Sequence, residues 1–81
     1  MQIYIEPYGP ARHWLGQNSV TLSMGDGLCV ADAARLLAER YPEFAEQAQR
    51  CAFALADGIV PASQNLHDGA RLALIPPVSG G

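Results

Sequence analysis

Lysine is absent from this 81-residue chain, and its side-chain positive charge comes from five arginines at positions 12, 35, 40, 50 and 71. No side chain therefore offers an aliphatic amine, so none can receive an isopeptide link. The arginines are scattered, and the net charge is −3. With no basic patch to neutralise phosphates, the chain is not expected to bind nucleic acid. Cysteine is scarce as well. Cys29 and Cys51 have no companions at ligand spacing, which argues against a zinc site. No apolar run approaches the roughly 20 residues of a membrane-spanning helix, and no signal-peptide pattern opens the chain. The expectation is a cytoplasmic protein with free thiols and no membrane contact. His13 and His67 fall in predicted loops without a partner nucleophile, and the carboxylates form no acid/base pair. The Gly-containing turns do not match a phosphate loop. A side-chain enzyme finds no support here.

What is present is enough for one small domain, 49% hydrophobic and 16% charged, which places the chain among globular proteins. Gln2-Ile3-Tyr4-Ile5-Glu6 and Ser19-Val20-Thr21-Leu22-Ser23-Met24 alternate as strands, joined across a polar loop at residues 9–18. Within that loop, Arg12 and His13 read as a surface or partner-contact cluster, and Trp14 with Leu15 as a small satellite core. Val30, Ala33, Ala34, Leu37 and Tyr41 form one stripe of a helix over about 30–41, with Cys29 where an N-cap is expected. Pro42 stops that helix or starts another, and residues 43–50 continue as a short one. Ala52–Ala56 is a third strand. Asp57-Gly58 turns the chain into a short edge at Ile59-Val60, and Arg71–Ile75 is the final strand.

One main helix on a sheet is an α+β arrangement. With the first and last strands in the middle, it is the β-grasp layout. Residues 1–75 form the β-grasp domain. Residues 76–81 form an extended C-terminal tail.

The tail, Pro76-Pro77-Val78-Ser79-Gly80-Gly81, is the most specific feature. The prolines fix φ and favour a stiff, extended departure, while glycine at the tip has no Cβ to clash in a narrow channel. Val78, Ser79 and Gly80 are the predicted inserting segment, and Gly81 presents the terminal carboxylate. Ile75 lies on the face opposite Leu72 and Leu74, so Ile75, Pro76 and Pro77 are predicted to meet a partner. A free α-carboxylate, with a pKa of about 3.5, is ionised at neutral pH and is a poor electrophile. It must be activated, and adenylation by ATP in a separate enzyme supplies a good leaving group. A sulfur nucleophile then converts it to a thiocarboxylate.

The closing Ala73-Leu74-Ile75-Pro76-Pro77-Val78-Ser79-Gly80-Gly81 resembles the signature of the MoaD/ThiS ubiquitin-like sulfur carriers, nearest the MoaD type that is the small subunit of molybdopterin synthase. Asp68-Gly69 after Leu66, Arg12 and Gly16 as R-x-x-x-G, and the helix from Val30 to Leu37 fall at that family's positions. The resemblance implies a carrier with no cofactor and no metal of its own, and no catalysis by itself. It implies three partners: an activating enzyme that uses ATP and Mg²⁺ at Gly81, a sulfurtransferase, and a large catalytic subunit in a heterotetramer. The chain departs from the family in having His13 for Glu, Cys29 for Thr or Ser, Leu55-Ala56 for Val-Asn, Ala70-Arg71 for a pair of acids, and Ile75 for an aromatic. A carrier for thiazole, cysteine or a secondary metabolite is one alternative. A non-covalent β-grasp interaction module is the other.

Overall fold

The computed structural model describes residues 1–77. Five strands form one mixed sheet: β1 Gln2–Pro7, β2 Val20–Ser23, β3 Ala52–Leu55, β4 Gly58–Val60 and β5 Arg71–Ile75. Their spatial order is β2-β1-β5-β3-β4. β1 and β5 run parallel, and every other neighbouring pair is antiparallel. This is the β-grasp topology, with the first and last strands inside the sheet as the sequence predicts.

Alternation places one face of the sheet in the core. Ile3, Ile5, Val20, Leu22, Phe53, Leu72 and Leu74 are buried there, with Met24 just beyond β2. Helix α2, Val30–Arg40, covers that face through Val30, Ala33 and Leu37. Ala34 and Tyr41, expected in the same stripe, are half-buried at its margin. Leu55, also expected in the core, is only half-buried because β3 ends there at the turn into the edge strand.

Cys29 is the N-cap of α2. Its backbone N–H donates to Asp32 Oδ2 at 2.9 Å and its thiol donates to the same oxygen at 3.2 Å. Those two bonds, the backbone one first, hold the Asp32 carboxyl below its ordinary range, and Arg35 at 3.0 Å adds to them. The folded-state pKa is depressed, so the contribution is present above the ordinary carboxylate pKa. It is lost as pH falls through the lowered value.

Helix α3, Pro42–Gln47, begins with proline at its first turn, where a missing N–H leaves nothing unsatisfied. A single 3₁₀ turn, Ala48–Arg50, leads from it into β3. Phe44 of α3 is fully buried and sits between Trp14 and Phe53, with ring centroids 6.5 Å away on each side.

Residues 9–18, expected to be a loop, contain a five-residue helix, α1, Ala11–Leu15. Gly16 closes it in the left-handed region at φ 69°, its N–H donating to the Arg12 carbonyl at 2.8 Å. A helix this short does not hold in isolation. It forms because Ala11 and Leu15, one turn apart, enter the core beside α3. The satellite core expected of Trp14 and Leu15 is thus an extension of the main one. No helix of the described residues is long and apolar enough to cross a membrane.

Candidate functional site

The second face of the sheet carries no helix. Its composition follows from strand register. Glu6 of β1 pairs with Ala73 of β5, Ala73 with Ala54 of β3, and Ala54 with Ile59 of β4. One row across the sheet therefore reads Glu6, Ala73, Ala54, Ile59. The next row toward the tail pairs Ile75 with Ala52, and the Tyr8 N–H donates to the Leu74 carbonyl at 3.0 Å, extending the β1–β5 contact. Tyr8 is 51% exposed and Ile59 72% exposed, the large apolar side chains most open to water among the described residues. Alanines at the centre leave the backbone shallowly covered. A partner could approach it closely.

The chain leaves this face at its central strand. β5 ends at Ile75, on the side opposite Leu72 and Leu74; Ile75 and Pro76 are half-buried and Pro77 is exposed. Gly9 hems in the exit: a Cβ built there lies 3.7 Å from Pro76 Cγ, and φ of +52° already disfavours any other residue. Val78, Ser79, Gly80 and Gly81, predicted to insert into a partner and carry the chemistry, lie outside the described residues.

Polar contacts at the other end of β5 fix its register. The Gln2 N–H donates to Asp68 Oδ1 at 2.7 Å, and the Gly69 N–H donates to the Gln2 carbonyl at 2.8 Å. Gly69 takes a φ of 85°, which its turn demands and a side chain would oppose. Arg71, where the resemblance leads one to expect an acid, pairs with Glu6 across the open face at 3.1 Å.

The remaining reactive groups are turned to structure. Cys51 donates to the Gln47 carbonyl at 3.3 Å, and burial pushes its thiol pKa up, which lowers the thiolate fraction needed for attack. His13, in α1, and His67, in the loop before β5, are both exposed. Among the described residues, no group of three His, Cys, Asp or Glu could hold a metal ion.

The sequence pointed to Ile75, Pro76 and Pro77 at the exit; the structure puts Tyr8 and Gly9 beside Ile75 and Pro76 there, and Ile59 farther out on the same face, at the sheet's edge. Tyr8 and Ile59 escaped the sequence reading. Antiparallel register around the Asp57-Gly58 turn was the signal for Ile59, since it fixes which face follows from Phe53.

The model of the ThiS family matches residues 8–81. The chain belongs to the ThiS family. A relative, the molybdopterin synthase sulfur carrier subunit of Chlamydomonas reinhardtii, is 32% identical over 83 residues, covering 100% of both chains. Solved structures share the fold. SAMP1 from Haloferax volcanii superposes with a TM-score of 0.84 at 19% identity, with 100% of both chains covered. A Helicobacter pylori chain from a complex of subunits 1 and 2 of the molybdopterin-converting factor gives 0.69 at 24% identity, again covering 100% of both. In this ThiS-family chain, the open sheet face and the end of β5 form the candidate site.

Proposed function

We propose that this chain is a sulfur carrier, the small subunit of molybdopterin synthase, with sulfur borne on Gly81. The observation that carries the reading is the end-to-end likeness, 32% identical, to a protein named as the sulfur carrier subunit of that enzyme. The chemistry of the tail agrees with it. An oxygen of the Gly81 carboxylate attacks the α-phosphorus of ATP, with Mg²⁺ and the activating enzyme supplying charge neutralisation, and pyrophosphate leaves. A persulfide from a sulfurtransferase attacks the acyl carbon, AMP leaves, and a thiol cleaves the resulting acyl disulfide to release the thiocarboxylate. The large subunit then accepts the tail and transfers the sulfur to its pterin precursor. None of these steps asks a side chain of this ThiS-family domain to act as acid, base or nucleophile.

The open face supplies the partner surface in this reading. Tyr8 and half-buried Ile75 beside the exit, and Ile59 at the edge of the same face, are apolar groups best explained by a covering protein. Ile75→Asp should leave the monomer folded and weaken binding to the large subunit at least about tenfold. That size follows because losing the burial of one such side chain is worth about 1.5–3 kcal/mol. Titration of the mutant with the large subunit checks it, and an unchanged affinity would move the partner to another face.

A carrier serving a different sulfur acceptor is the second reading, favoured by Arg71 paired with Glu6 on the docking face. Incubation with ATP, the activating enzyme and a sulfur donor tests both readings at once. The intact chain should gain the mass of one oxygen-to-sulfur exchange, located at Gly81. No mass change with the cognate enzyme would leave only the non-covalent interaction module.

A further inference from the structure

Charged side chains of both signs stand at each end of the strand axis. The parallel pair β1 and β5 both point their C-terminal ends at the tail's exit, so the opposite end carries Asp26, Asp57 and Asp68, all exposed, together with Arg71 at the start of β5 and the N-terminal amine 3.6 Å from Asp26. At the exit end stand Arg12 and His13 of α1 and Arg50 before β3, also exposed. α3 packs on α1 and adds Glu43 and Glu46, so the helical side of this end is mixed in sign. The strand side carries Glu6 of β1. There Arg12 lines a cleft with Asn18, Glu6, Pro7 and Tyr8. Glu6 is already engaged by Arg71 at 3.1 Å, and the ion pairs among the described residues leave Arg12 without a carboxylate.

We infer that Arg12, flanked by Tyr8 and Asn18, is a docking cation that receives an acidic side chain on the rim of the activating enzyme's tail channel. The inference rests on the sulfur-carrier reading and names what first engages the domain as the tail enters. An acidic rim is the complementary choice for two reasons. A guanidinium offers a planar fork that matches a carboxylate in two parallel hydrogen bonds. Arg12's neighbour Glu6 is already paired with Arg71, so the matching carboxylate has to come from the partner. Gly9, just before α1, lies beside Pro76 at the start of the tail, where a built Cβ would be 3.7 Å from Pro76 Cγ.

The test is steady-state activation of the full chain by its activating enzyme, read as pyrophosphate release at low and high ionic strength. Arg12→Glu should raise the KM for the carrier at least tenfold at low salt and leave kcat within twofold. That difference should shrink at about 1 M salt, where the Debye length falls to about 3 Å. Asp57→Arg, at the far pole, should not raise KM. If Arg12→Glu fails to fold, as judged by its circular dichroism and melting, Arg12→Gln should show a smaller rise of the same sign. A KM for the folded variant within twofold of the wild type, with the wild type loading normally at Gly81, overturns the docking role alone. A wild-type chain that is never adenylated overturns the carrier reading and this inference with it.

Discussion

Leu37→Ala should cost this domain about 2–5 kcal/mol, the range for truncating a fully buried leucine that leaves a cavity. Leu37 has no exposed surface and sits mid-way along α2, where the helix crosses the sheet's inner face. It belongs to the same cluster as Ile3, Ile5, Leu72 and Leu74, contributed by the parallel pair β1 and β5. Those strands are held by register alone, without a disulfide, since both cysteines are free. A small domain buries only a little over 60% of its unfolded surface and has roughly 5–15 kcal/mol of stability in all. The mutation therefore removes a large share of the total. Chemical denaturation should show a lower midpoint at unchanged slope. A loss below about half a kcal/mol would mean that α2 presents a different face to the sheet.

The sheet was legible because each strand obeys the period of two with few faults. Ile3 and Ile5, Val20 and Leu22, and Leu72 and Leu74 each flank a residue that turns away from the core, so their faces could be assigned without knowing the partners. α2 was legible for the same reason at period 3.6, and even the unusual Cys29 cap stood where the stripe required one. What escaped depends on contacts distant in sequence. α1 spans only Ala11–Leu15, too short to show a period, and no cap side chain marks its start. Phe44 is the one large apolar residue in the six of α3, so nothing local distinguishes it from an exposed aromatic. Its burial follows from Trp14 and Phe53 meeting it from either side. Leu66 lies in a segment without regular structure, but its N–H donates to the Leu28 carbonyl at 3.0 Å, and that bond brings it into the core. The site divides in the same way. The proposed tail chemistry is written in consecutive residues, whereas the open face assembles Tyr8, Ile59 and Ile75 from three different strands or their ends.

Deleting Gly81, or adding a single residue after it, should abolish sulfur loading and not merely slow it. The proposed reaction takes place at one carbonyl carbon, which must reach the α-phosphate of ATP in one protein and the acceptor in another. One residue of extended chain spans roughly 3.3–3.6 Å, about the full separation of reacting atoms in a productive complex. The start of the tail is fixed, because Pro76 and Pro77 set φ directly after β5, and β5 is held in the centre of the sheet. An extended chain also loses the carboxylate at the position where it is activated, placing a neutral peptide carbonyl there instead. Gly80→Ala should be milder in kind but still harmful, since it adds a Cβ where a narrow channel is expected. The core cluster is built entirely from residues 3–74, so all three variants should melt like the parent. Mass spectrometry after incubation with ATP, activating enzyme and sulfur donor reads the outcome directly. A deletion variant that still gains sulfur, or still supports cofactor synthesis, would show that Gly81 is not the carrier of the group.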